Sequence, residues 1–359
     1  MKTRTINIVL FVALIVGGMG CDSNVCPSSA IQAEQPVSSN EVKAQAEYSF
    51  YAPSIQQDAQ RAAIEEICRW ADTNDTSVGC AVIVEVKTGN VIAIADCGGT
   101  NDEPRPFAVH RQIEPGLLLS PFTMAFAIDS RAISSMESQF TSDRAEPSFN
   151  EYRLPSDGSD KSSVMSVSNA LVRSSVVVIS KIGILCGPRE LYDGLSRLGL
   201  ASSLKAPDRW NIQERTRIPI GQGVRMTALD LARAYAILAN HGRSTDGQVV
   251  ISGMTATSVK AALEGAVQDG TGHRAAITGI HIAGKTSTSV RHLTAFRYDY
   301  GKYLSAFASI FPADKPKYAM IVWFETTRNE NEPGMHHGGG RAAIASRGII
   351  KRLMAATIQ

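Results

Sequence analysis

The sequence predicts a mixed α/β (α+β) fold, with a central, mainly antiparallel sheet flanked by helices and a helical subdomain inserted within it. Three observations lead there. Two β-rich runs near the start, residues 79–86 and 91–97, flank Lys87-Thr88-Gly89-Asn90, the pattern of a hairpin. A long, helical and polar middle section follows. The last third returns to strand-like runs before a closing helix, so the sheet is assembled from both ends of the chain around the helical insert.

The composition permits this. With 359 residues, 44% of them hydrophobic and 19% charged, the chain can bury a sizeable core. A formal charge of +2, with basic residues scattered along the chain, argues against a nucleic-acid partner.

At the N-terminus, Lys2 and Arg4 precede an apolar run over residues 6–16, which gives way to Gly17-Gly18-Met19-Gly20-Cys21. This is the layout of an export signal, and residues 1–21 are assigned to it. Small residues ending at a cysteine resemble a bacterial lipobox, with Gly18 where leucine is usual, so lipidation is expected at Cys21. An uncleaved anchor and an ordinary cleaved signal are the alternatives. The run is short for a membrane-spanning helix, which needs about 20 apolar residues. Each of these readings places the protein outside the cytoplasm, tethered to the membrane on the extracytoplasmic or periplasmic side in the first two. Residues 22–54, rich in Ser, Gln, Glu and Ala, read as a flexible tether, and 55–359 as the folded domain.

Within that domain, Ala59, Ala62, Ala63, Ile67 and Trp70 recur at helical spacing, so a helix is expected over residues 57–71. The hairpin follows. If Val86 pairs with Val91, Cys80 stands opposite Cys97, and an exported protein is free to oxidise such a pair to a disulfide. None of the six cysteines forms a Cys-x-x-Cys pair. Residues 146–163 read as a charged surface excursion, 168–184 as an apolar helix stopped by Gly187-Pro188, and 189–198 as a second helix. Thr227 with Asp230 has capping-box spacing, opening a helix that ends at Asn240-His241-Gly242. Strands are expected over 280–283, 303–311 and 318–324, and a last helix over 342–354.

Several of these segments, in this order, resemble the transpeptidase domain of penicillin-binding proteins. Residues 113–128, Ile-Glu-Pro-Gly-Leu-Leu-Leu-Ser-Pro-Phe-Thr and then an apolar run, keep the frame in which that family sets Glu-Pro-Gly before Ser-x-x-Lys and Pro-Phe-Thr. The segment 221–242 is similar to the family's Gly-Gln-Gly, Thr-Pro-Leu and Ala-Asn-x-Gly run, and the hairpin to its first sheet hairpin. The resemblance covers residues from about 55 to the C-terminus and implies the family's fold and its three-part active site.

On that frame, Leu117 occupies the place of the acylated serine, and Ser120 that of the lysine that helps deprotonate it. Leucine has no lone pair with which to attack a carbonyl, and a serine hydroxyl is no basic partner. Read without the frame, Ser120 is a helix cap before Pro121. The family's Ser-x-Asn corresponds to Ser174-Ser175-Val176, where Ser174 remains and Val176 can neither donate nor accept; its bland reading is the first turn of a buried helix. The family's Lys-Thr-Gly corresponds to Lys285-Thr286-Ser287, with serine in place of the glycine that lets a substrate approach the strand. Ser174, Lys285, Thr286 and Thr288 remain as candidates for binding a carboxylate or other anion. His336-His337 is read as framework rather than as a metal site, and no metal or cofactor is expected.

The expected function is that of a cell-envelope, peptidoglycan-related transpeptidase-domain protein that has lost acyl transfer and serves in binding or scaffolding. Its expected partners are peptidoglycan peptides or envelope proteins. The alternative is an active D,D-transpeptidase, carboxypeptidase or β-lactamase-like enzyme whose nucleophile is Ser120 or Ser174.

Overall fold

In a computed structural model of the protein, the described residues are 54–358 apart from 72–75, 100–103, 146–148, 150, 152–153, 155–162, 295–296 and 328–336. The proposed signal with Cys21, nearly all of the tether, and His336 lie outside them. Among the described residues, no helix is long and apolar enough to cross a membrane.

Helix α1 (Gln57–Ala71) forms where the spacing predicts it and buries Ala59, Ala63 and Ile67. Strands β1 (Thr76–Glu85) and β2 (Val91–Gly98) make the expected hairpin. With β5 (Ala283–Thr294), β6 (Arg297–Phe311) and β7 (Tyr318–Thr327) they form one antiparallel sheet in the order β2-β1-β7-β6-β5. The N-terminal hairpin therefore docks beside the last strand of the chain, and β5 is left as an edge.

Both sheet faces are covered, and the period-two alternation of the strands sorts their side chains between two cores. Val82, Val84, Ile321 and Trp323 face the helical block, whereas Ala81, Ile83, Val322 and Phe324 face α1 and the C-terminal helix α8 (Arg341–Ile358). Burying one such large side chain contributes about 1.5–3 kcal/mol, so the central strand β7, with nine buried residues of ten, anchors the domain.

The hairpin register corrects one expectation. The ladder slips between Ile83 and Val84, so Val84 pairs with Val91 while Ile83 pairs with Ala93, leaving Ile92 as the extra residue of a bulge. Cys80 consequently pairs with Asp96, and Cys97 with Gly79. A one-residue shift turns a side chain to the other face. Cys80 is buried under the helical block and Cys97 packs against the α1 layer, so the expected Cys80–Cys97 disulfide has the sheet between its two sulfurs.

The helical block contains α2 (Ser120–Asp129), a small hairpin β3 (Gln139–Thr141) and β4 (Val164–Ser166), then α3 (Val167–Arg173), α4 (Val176–Cys186) and α5 (Pro188–Arg197). Helices α6 (Ala228–Ala239) and α7 (Gly253–Gln268) complete it. The capping box at Thr227 and Asp230 forms as expected, each side chain bonding the other's backbone N–H. The single helix expected over 168–184 is instead two, because Ser174 adopts a left-handed conformation (φ 62°) and closes α3 before α4 opens at Val176 without a side-chain cap from Ser175. Helix α7 is an addition to the elements expected from the sequence.

Candidate functional site

The three pieces read from the sequence converge between edge strand β5 and the helical block. Gly116–Leu119 forms a single 3-10 turn ahead of α2, with Leu118 and Leu119 buried and Leu117 half-buried. That turn is held from outside its own segment. Gly116 N–H donates to the Gly221 carbonyl (3.1 Å), Gly223 N–H donates to the Glu114 carboxylate (3.1 Å), and the Tyr235 hydroxyl donates to the Leu118 carbonyl (2.8 Å). Gly221 has φ +73°, and a Cβ there would be driven into the Gly116 carbonyl, so the Gly-Gln-Gly run is a backbone requirement of the turn.

Ser120 differs from its expected role. The residue preceding α2 is Leu119, which makes no side-chain cap; Ser120 is already helical and fully buried, and its hydroxyl donates back to the Leu117 carbonyl (2.6 Å). Leu117 and Ser120 thus present an apolar side chain and a hydroxyl bonded to that residue's backbone.

Opposite the turn, the β5 side chains alternate. Lys285, Ser287 and Ser289 share the face of Ala283, toward the helical block. Ser287 stands against Gly116, so close that a Cβ on Gly116 would collide with its hydroxyl. Its Oγ is buried and has no hydrogen-bond partner. The Ser287 side chain therefore occupies the space between strand and turn. Thr288 lies on the other side, where its hydroxyl accepts the Gly338 N–H (2.9 Å).

Ser174 is positioned by its left-handed corner, a backbone state that costs a non-glycine residue of order 1 kcal/mol. Lys285 Nζ donates to Ser174 Oγ (2.5 Å) and to the Thr286 carbonyl (3.0 Å). From Ser174 a chain of hydroxyls runs through Thr271 (3.3 Å) to Thr286 (2.7 Å). Sequence reasoning misses Thr271, which lies in a turn after α7 with no motif around it. Val176 packs half-buried against the helical core and offers nothing polar. Burial lowers the Lys285 pKa to about 7, because the ammonium is withdrawn from water and bonded to a hydroxyl and a carbonyl rather than to a carboxylate. Its neutral form can take a proton from Ser174; its charged form is too enclosed to meet a ligand without local opening. Among the described residues, no group of His, Cys, Asp and Glu is arranged to hold a metal.

A five-stranded antiparallel sheet lies between helical layers, and a serine–lysine pair bridges its edge strand β5 to the helical block, on the same strand that faces the 3-10 turn. The Penicillin binding protein transpeptidase domain family matches residues 79–351, and the chain belongs to that family. The protein is 26% identical to the probable peptidoglycan D,D-transpeptidase PenA of Neisseria flavescens over 343 residues, covering 85% of this chain and 81% of that one. It is likewise 26% identical to the peptidoglycan D,D-transpeptidase FtsI of Escherichia coli (strain K12), covering 81% of this chain and only 54% of the relative, so it spans about half of that longer protein. Among solved structures, the transpeptidase domain of the D,D-transpeptidase FtsI4 from Legionella pneumophila superposes with a TM-score of 0.66 at 25% identity, over 84% of this chain and 98% of that one.

Proposed function

We propose that this protein is a peptidoglycan-binding member of the family that no longer transfers acyl groups and acts as a binding or scaffolding component of the cell envelope. The observation that carries the reading is Leu117 on the 3-10 turn, with the Ser120 hydroxyl bonded to its carbonyl. Acyl transfer needs a nucleophile and a base within reach, and neither residue supplies one. The ligand class comes from the relatives, which are named peptidoglycan D,D-transpeptidases. Incubated with a peptide ending in D-Ala-D-Ala, the purified protein releases no D-alanine above an uncatalysed control; catalytic release removes the proposal.

The same reading has the protein exported and held at the membrane through Cys21. Its charged start, apolar run and small residues support lipidation. Replacing Cys21 by Ala leaves the precursor unprocessed or sends the protein into the soluble fraction. Unchanged processing and attachment would favour an ordinary anchor.

One observation favours a second reading. Ser174 lies 2.5 Å from a lysine whose pKa is lowered to about 7, which is the chemistry of a nucleophile and its base. Ser174 is also more accessible than Ser120, which is fully buried. In this reading an acyl adduct forms, and it maps to Ser174.

A further inference from the structure

We propose that Cys68 on α1 and Cys97 on β2 form a disulfide that fastens the first helix to the edge of the sheet. Residues directly opposed in a ladder point to the same face. Cys97 pairs with Gly79, so its sulfur stands on the face toward which a Gly79 side chain would point. That face is roofed by α1, since Ile67 Cγ2 lies 3.0 Å from where a Gly79 Cβ would be. Cys68 is the next residue along the helix.

The orientation of α1 decides to which side Cys68 turns. Gln60 reaches over the edge strand, accepting the Ile94 N–H (2.9 Å) and donating to the Ile94 carbonyl (2.5 Å). Gln60, Ile64 and Cys68 are spaced at i, i+4 and i+8, one stripe of the helix, and because Gln56 bonds at Ile92 and Gln60 at Ile94, that stripe advances in the direction that β2 takes towards Cys97. The opposite flank is occupied elsewhere, with Glu65 and Glu66 paired to Arg352 of α8. Both residues are half-buried, and the remaining described cysteines are placed elsewhere: Cys80 lies across the sheet and Cys186 ends α4.

Both residues are in the thiol form in this structure. Oxidation proceeds by exchange with a small disulfide such as glutathione disulfide. One protein thiolate attacks it, expelling glutathione thiolate and forming a mixed disulfide. The second protein thiolate then displaces the other glutathione, so that two protein thiols lose two protons and two electrons and two glutathione thiols are produced. The bond closes a loop that contains β1 and its turn, and stabilises mainly by restricting the unfolded chain.

The test uses the purified full chain, equilibrated in a glutathione redox buffer and alkylated without reduction, and is independent of the proposed function and of export. Peptide mapping is expected to find Cys68 joined to Cys97, and reduction to lower the Tm by roughly 5 °C. The variants Cys68→Ser and Cys97→Ser each lose both the linked peptide and the reduction-dependent shift, while Cys186→Ser retains them. Full alkylation of Cys68 and Cys97 in the oxidised, folded protein overturns the proposal. So does a crosslinked peptide that joins either residue to a different cysteine.

Discussion

After incubation with a reactive penicillin, the wild-type protein retains its unmodified intact mass. On the proposed reading Leu117 stands in the nucleophile's place, a loss that costs about six orders of magnitude in a hydrolase-type triad, and the Ser120 hydroxyl donates to the Leu117 carbonyl. Leu117→Ser alone remains unlabelled, because no base stands three residues on. Leu117→Ser with Ser120→Lys gives slow acylation, since the turn that presents both positions is fixed by Gly221, Gly223 and Tyr235 rather than by its own chemistry. Adding Ser287→Gly accelerates it, because the side chain standing against Gly116 is removed. A stoichiometric adduct on the wild type would defeat the reading of an inactive protein, and an adduct at Ser174 would replace it with the second one.

Between about pH 7 and pH 9 the wild type gains stability relative to Lys285→Met, because its buried ammonium gives way to the neutral amine. The folded-state pKa of Lys285 is lowered to about 7, while an unfolded chain keeps its lysine in the ordinary range. Between these values the unfolded state binds more protons than the folded one, so stability rises with pH, by at most about 1.4 kcal/mol per pH unit. Below pH 7 both states are protonated and the cost of burying the ammonium is fully present. Urea unfolding at pH 7 and pH 9 measures the effect. Equal pH dependence in wild type and Lys285→Met would show that this lysine is solvated in the folded protein.

Regular elements with strong periodicity or explicit caps are legible in the amino-acid sequence. The helix over 57–71, the capping box at Thr227, and the strands expected over 303–311 and 318–324 fall where spacing and turn residues put them, with their ends displaced, whereas the strand expected over 280–283 meets β5 only at Ala283. Helix α7 carries a fainter pattern although Val259, Leu263 and Val267 share a stripe, since most of its other buried residues are Ala and Thr, which signal weakly. The bulge at Ile92 has no local mark in a run of β-formers, and it is set by pairing on both sides of β1. The left-handed Ser174 is hidden for a similar reason, because apolar residues continue at helical spacing across it. Of the site, the residue types are readable and their contacts are not. That Ser287 fills the space beside Gly116 and that Thr271 joins Ser174 to Thr286 are facts of packing between distant segments, while the Ser120 hydroxyl's bond back to Leu117 is a local choice that its residue type does not announce.

The strand order also separates where the body is held from where it opens. Ser54 and Gln56 bond to the carbonyls of Val91 and Ile92, so the chain joins the domain at the start of β2. Lys285 is on β5, at the far side of the sheet, four interstrand steps or about 19 Å away. The covering layers differ as well, since α1 lies over one face and the 3-10 turn over the other. The tether proposed ahead of Ser54 would therefore pull from the side of the sheet farthest from β5 and the helical block's contact with it.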